Sequence, residues 1–204
     1  DCTTADASLG TTDYFIQRYS FEGGDLQRLM YGTSDAKPVT ISFYVKSNKT
    51  GTYVCELQQL ATDGTYPRSG KSFTIDSANT WERKTLTFTG DTSGTWLTTN
   101  GTGMRLSWGL GGGSSYHISS TGTWLGVDDW TTSGSTSVVS TNAATWYITG
   151  VQMEIGTQAT PFEYRTVGEE LSLCQRYYYV FADGRDHASA YQFMNIHGYS
   201  TGQV

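Results

Sequence analysis

An all-β fold, a jelly-roll β-sandwich followed by a short helix and the start of a second small β unit, is what this sequence predicts, and three observations carry it. Thr, Ser and Gly fill about 77 of the 204 positions, while charged residues make up only 16% against a typical ~25%. Aromatic residues reach 14%, and together with Thr they suit a pleated, half-buried surface. Only 3 prolines interrupt the chain, so the composition is that of a sheet protein and not of a disordered Ser/Gly tail. The length fits one fair-sized domain, or one domain with the beginning of another.

The elements follow from period-2 alternation. In Val39 to Lys46 the odd positions are apolar and three of the four even ones polar, the pattern of a strand with one face in a core. Ser47 to Gly51 reads as a polar turn, after which Tyr53 to Leu60 resume a strand, so these two segments are expected to pair as a hairpin. Thr85 to Thr89 turns Leu86 and Phe88 inward, and Met104, Leu106, Trp108 and Leu110 share one parity. Gly111 to Asn142 is rich in Gly, Ser and Thr and reads as loop or short edge strands. From Trp146 to Ile155 the apolar parity slips at Gly150, which predicts a β-bulge that keeps both sets facing the core.

After Thr160 the character changes. Gly168 to Tyr177 has acidic residues first, Leu171 and Cys174 three apart and Arg176 near the end, as a short helix would. Tyr177 to Phe181 and Tyr191 to Ile196 return to strand-like composition around a polar turn at 182–186. The expected organisation is a sandwich domain over 1–165, a helical connector over 166–176, and the beginning of a further β domain over 177–204.

Charge and composition exclude several functions. A net charge of −6 with a pI near 4.9 lacks the basic footprint that nucleic acid requires. No apolar run approaches the ~20 residues of a spanning helix, so no membrane insertion is expected. The chain begins at Asp1 without a Met or an apolar leader, as a fragment or processed product would. Cys2, Cys55 and Cys174 lie far apart without a C-x-x-C pair, which excludes a zinc knuckle and permits one disulfide at most.

One long pattern carries a resemblance. Trp146-Tyr147-Ile148-Thr149-Gly150-Val151-Gln152-Met153-Glu154-Ile155-Gly156, then Ala159-Thr160-Pro161-Phe162-Glu163-Tyr164-Arg165, then Glu169 to Tyr178, resembles a pattern recurring in bacteriophage tail-fibre and other virion surface proteins. Upstream, Ile41 to Ser47 and Trp81 to Lys84 look like early strands of the carbohydrate-binding-module-like jelly roll that those proteins carry. The resemblance implies a structural virion protein on the phage particle surface, a tail-fibre or appendage subunit that is usually a homotrimer. Its implied partners are other virion proteins and the polysaccharide of the host surface. Two alternatives share the fold: a decoration or fibre protein of the phage head, and a non-catalytic carbohydrate-binding module of a polysaccharide-degrading enzyme.

The candidate sites follow from side-chain chemistry. A pyranose ring stacks its C–H face on an indole while carboxylates accept its hydroxyl hydrogens, so Trp124, Asp128, Asp129 and Trp130 form a candidate glycan site, with Trp96 as a further platform. The competing reading for these tryptophans is packing, which Trp108 and Trp146 follow from their strand parity. Leu171, Cys174, Tyr177 and Tyr178 are the residues expected at an oligomer interface. No positioned nucleophile, base and orienter recurs, and the neighbouring pairs Asp128–Asp129 and Glu169–Glu170 do not suit glycan cleavage, so no enzyme is expected. His117, His187 and His197 lack metal-ligand spacing. No cofactor is predicted, structural calcium being the one ion left open, with Asp1, Asp6, Asp13 or Asp128 as its carboxylates.

Overall fold

The computed structural model describes residues 1–60, 66–126 and 130–176. They form seven strands, β1 (Tyr14–Glu22), β2 (Val39–Ser47), β3 (Gly51–Gln59), β4 (Arg68–Ile75), β5 (Glu82–Phe88), β6 (Thr102–Gly112) and β7 (Trp146–Ile155), and one α-helix, α1 (Val167–Gln175), besides two short 3-10 segments. Hydrogen bonds join four strands in the order β1-β6-β3-β4 and three in the order β5-β2-β7, every neighbouring pair antiparallel. The chain is thus an all-β sandwich of two antiparallel sheets, the class its composition predicts.

Alternation builds the core. Val39, Ile41, Phe43 and Val45 of β2 have no exposed surface, and Tyr53, Cys55 and Leu57 of β3 with Met104, Leu106 and Trp108 of β6 are buried with them. The Phe43 ring meets Phe73 and Trp108 edge-on at 5.1 and 5.6 Å, a geometry that suits aromatic quadrupoles. No disulfide links the cysteines, and burial above all, with the adjacent Glu56, pushes the Cys55 thiol well up.

The expected β2–β3 hairpin does not form. β2 pairs with β5 and β7, whereas β3 pairs with β4 and β6 in the other sheet, so the 48–50 segment arches from one sheet to the other. Both strands carry core residues on odd positions, which two strands facing each other across a core satisfy as well as two strands side by side. The arch is held from outside: Asn48 Nδ2 donates to the Ala143 carbonyl at 2.8 Å, its Oδ1 accepts from Thr145 N at 2.9 Å, and the Tyr53 hydroxyl donates to the Lys49 carbonyl at 2.7 Å.

The bulge in β7 does form. Tyr44 pairs with Thr149 and Ser42 with Gln152, leaving Gly150 and Val151 opposite Phe43 alone, and Gly150 takes a φ of 57° that favours glycine. The slip places Ile148 beside Val45 and Met153 beside Ile41, all on the core side. Val151 and Ile155 nevertheless stay about two-fifths exposed, at the bulge and at the end of an edge strand. Alternation gave no sign of β1 or β4. β1 carries aromatics on both faces, with Phe15 and Tyr19 more than half exposed, and β4 is polar up to Phe73 and Ile75.

The stretch at 111–142 is mostly loop, and part of it roofs the outer face of the four-stranded sheet. Leu125 bridges to Arg68, and the Trp130 carbonyl lies so close over Gly109 that a side chain there would collide with backbone. At Gly70 a side chain would collide with the end of the Ile118 side chain and not with backbone. This roof explains why β3 is buried on both faces although its outer side carries Glu56 and Gln58.

The chain divides into two compact units, Asp1–Phe162 and Glu163–Val204, a boundary three residues before the expected 165. In the second unit, α1 begins with a reciprocal cap in which Thr166 Oγ1 accepts from Glu169 N at 3.3 Å and Glu169 Oε2 accepts from Thr166 N at 2.9 Å. The expected strands over 177–204 lie outside the described residues.

Candidate functional site

Three aromatic rings meet at one end of the sandwich. Tyr31 follows a 3-10 turn over Gly23–Leu29 that closes with Met30 at a left-handed φ of 55°. Trp96 comes from the turn after β5, and Trp124 from the roofing loop. Trp96 meets Tyr31 edge-on at 4.6 Å, Trp124 meets Tyr31 at 5.8 Å, and the two indoles stand at 6.0 Å and 85°. Trp124 Nε1 donates to the Thr89 carbonyl at 2.9 Å, which fixes its ring. Both indoles keep part of their surface in solvent, while Tyr31 is buried.

Polar groups gather around these rings. Asp91 Oδ1 accepts from Ser93 N at 3.1 Å and Ser93 Oγ at 2.9 Å, an Asx turn that shapes 91–94, and the Gly32 amide donates to the Asp91 carbonyl at 2.8 Å. Gln59 Nε2 donates to the Thr95 carbonyl at 3.2 Å. Asp91 Oδ2, Gln59 Oε1, the Tyr31 hydroxyl and Trp96 Nε1 are all buried and have no hydrogen-bond partner among the described residues. Burial, and then the charge of Asp91, raise the Tyr31 phenol above its ordinary range, so it stays a donor. Two acceptors and two donors of this kind match the hydroxyls of a saccharide, each of which gives one hydrogen bond and accepts others.

Two of the tryptophans expected at a glycan site, Trp96 and Trp124, therefore meet, and Trp130 is elsewhere. Trp130 is only 6% exposed, packed between Tyr14 at 4.5 Å and Tyr116 at 4.6 Å, with the Arg68 and Arg18 guanidiniums over its ring at 4.9 and 5.7 Å. A ring enclosed in this way has no free face for a sugar, and the structure does not join Trp124 and Trp130 in one platform. Asp128 and Asp129 lie outside the described residues. Sequence reasoning missed Tyr31, Gln59 and Asp91, because nothing local distinguishes them before the strand ends bring them together.

The oligomer candidates divide the same way. Leu171 is 55% exposed and Cys174 is exposed, and no residue of α1 is buried. Tyr177 and Tyr178 lie outside the described residues, as do His187 and His197. Of the calcium candidates, Asp1 and Asp6 line a groove of about 410 Å³ with Phe15 and Trp146, Asp13 Oδ2 accepts from the Gly10 amide at 2.8 Å, and Asp128 is not described. No three His, Cys, Asp or Glu side chains gather as metal ligands among the described residues.

The pattern quoted from 152 to 161 is a clamp. Thr160 Oγ1 donates to Glu154 Oε1 at 2.6 Å, Thr160 N donates to Glu154 Oε2 at 3.0 Å, Gln152 Nε2 donates to Thr160 Oγ1 at 3.1 Å, and Arg83 donates to the Thr160 carbonyl. These bonds fold the segment after β7 back across the three-stranded sheet. Hydrogen bonds from Thr160 first, then Gln152, hold the Glu154 carboxyl below its usual range, with Arg83 adding to the effect. The carboxyl thus contributes stability that is complete above the unfolded value, about 4.3, and is lost as pH falls through the lowered folded value. The Thr160 amide resonance should accordingly report a titration midpoint below that of a free glutamate, and Glu154→Gln should abolish the titration; a midpoint at the free value would disprove the clamp.

Comparison with protein-family models, with curated proteins and with solved structures finds no match to this chain.

Proposed function

We propose that the chain is a non-catalytic jelly-roll module of a bacteriophage virion appendage, such as a tail fibre, that holds a host surface saccharide at the Tyr31–Trp96–Trp124 end. The observation that carries the binding reading is the set of four buried, unpartnered polar atoms beside two part-exposed indoles. A buried polar atom left unmade costs on the order of 1–3 kcal/mol, so four at one place call for a ligand that completes them. The virion assignment rests on the resemblance of residues 146–178. A non-catalytic role is supported by the two buried carboxylates among the described residues, since Glu56 pairs with Arg68 and Asp91 holds its own turn.

Weak saccharide binding gains from repetition, and an exposed helix supplies a means. Leu171 and Leu173 are each about half exposed on α1, a helix with no buried residue of its own, which favours association of copies through this segment into a homotrimer.

Retention of the chain on host-type polysaccharide tests the site. Trp124→Ala should weaken it by about 1–3 kcal/mol per site with little change in melting, because the ring is at the rim of the core. Unchanged retention would remove the aromatic end as the site. Light scattering of residues 1–204 should give three times the 22.4 kDa chain mass. A monomer would favour the detached carbohydrate-binding module over the fibre subunit.

A further inference from the structure

The outer face of the four-stranded sheet carries a second group of polar side chains that the aromatic end does not use. Strand register sets Arg18, Ser107 and Glu56 in one row across β1, β6 and β3, and Ser20, Arg105, Gln58 and Arg68 in the next row across β1, β6, β3 and β4. Residues two apart on a strand share a face, so both rows point away from the core. In an acidic chain this places three guanidiniums around one carboxylate.

That carboxylate is engaged. Glu56 Oε1 lies 3.3 Å from Arg68 Nη1, and both side chains are buried. Arg18 Nε donates to Ser107 Oγ at 3.1 Å, but its Nη2 is buried without a hydrogen-bond partner, as is Arg105 Nε. Gln58 is 2% exposed, and its Oε1 also has no partner. Burial foremost, and then repulsion from Arg105 and Arg68 against the attraction of Glu56, make the Arg18 charge harder to hold than in water. Arg18 and Arg105 are diagonal neighbours on adjacent strands, ~7–8 Å apart at the backbone, close enough for two long side chains to grip one oxyanion.

We propose that Arg18 and Arg105 form a site for the oxyanion of an acidic saccharide, a uronate carboxylate or a sulfate ester, with Gln58 Oε1 accepting from a neighbouring hydroxyl. The half-exposed Tyr14 ring, 5.2 Å from Tyr116, borders the site and offers a face for stacking. A net charge of −6 repels a dense polyanion at long range, so a sparse anion on a hydroxylated chain fits better than nucleic acid. Gln58 and Gln59 are successive residues at the end of β3 that point to opposite faces, so this site and the aromatic end are built on one strand end but from different residues. The inference extends the saccharide reading and does not depend on the aromatic end.

Titration calorimetry of the full chain tests it with four probes: an oligogalacturonate, a sulfated galactan oligosaccharide, a neutral galactan oligosaccharide and sodium sulfate. At least one acidic oligosaccharide should bind, less tightly as salt rises, and the two acidic arms tell carboxylate from sulfate. Arg18→Met and Arg105→Met should each lower that affinity at least tenfold, Arg105→Lys should lower it less, and Trp124→Ala should leave it unchanged. Matching melting temperatures of Arg105→Lys and wild type guard against loss of fold. Binding of sodium sulfate with neither acidic oligosaccharide, an adventitious ion only, overturns the proposal. So do equal affinities for acidic and neutral chains, arginine variants that bind as wild type, or no acidic binding tighter than about 1 mM. Loss of acidic binding in Trp124→Ala alone would move the anion to the aromatic end, whereas loss of only neutral binding there touches that site and leaves this one standing.

Discussion

Glu56→Ala is expected to destabilise the sandwich by about 3–5 kcal/mol, the cost of removing one half of a buried ion pair. Glu56 is 1% exposed beneath the loop that roofs the sheet, and Arg68, 3.3 Å away, is 7% exposed. Removing the carboxylate leaves Arg18, Arg68 and Arg105 facing one another on adjoining rows, so repulsion adds to the lost ion pair. Chemical denaturation measures the loss directly. Combining Glu56→Ala with Arg68→Met should recover much of it, because two apolar groups can replace a buried pair at little net cost. If the single substitution costs under 1 kcal/mol, the pair is solvated in practice and the roof is open.

Phe43→Ala should cost a similar ~3–5 kcal/mol, through a cavity and not through charge. Phe43 sits at the centre of β2 with no exposed surface, opposite the bulge in β7, and its ring spans the core to Phe73 and Trp108 on the other sheet. For a chain of this size that loss lowers the melting temperature by roughly 6–20 °C. Phe43→Leu keeps most of the volume and should recover over half of the loss. A fall as large for Leu as for Ala would point to ring geometry and not to volume.

The parts of the fold that sequence alone reveals are those in which one residue type repeats with the period of one element. β2, β6 and the bulged β7 are of that kind, and so is α1, whose Thr166–Glu169 cap is a local signal. Pairing is not local, which is why β2 and β3 read as a hairpin while the 48–50 arch sends them to opposite sheets. β1 was hidden because an overhanging edge strand need not alternate, and its Phe15 and Tyr19 project where no facing strand covers them.

The candidate site divides along the same line. Trp96 and Trp124 are conspicuous by type, and they do come together. Trp130 is equally conspicuous, yet its surroundings are Tyr14, Tyr116 and two arginines from distant strands, which no reading of the loop anticipates. Gln59 and Asp91 look like ordinary polar residues until the fold buries one oxygen of each, Gln59 bonded to the Thr95 carbonyl beside Trp96 and Asp91 to the Gly32 amide beside Tyr31.

The glycine beneath the roof governs which parts of such a chain are free to diverge. Because the Trp130 carbonyl rests on Gly109 with no side chain between them, β6 cannot acquire even a methyl group there without lifting the loop. The outward residues of the loop carry no such constraint. Lineages descending from this sequence would therefore vary the outward residues of the roof while the floor stays fixed, with Gly109 among the positions least open to replacement.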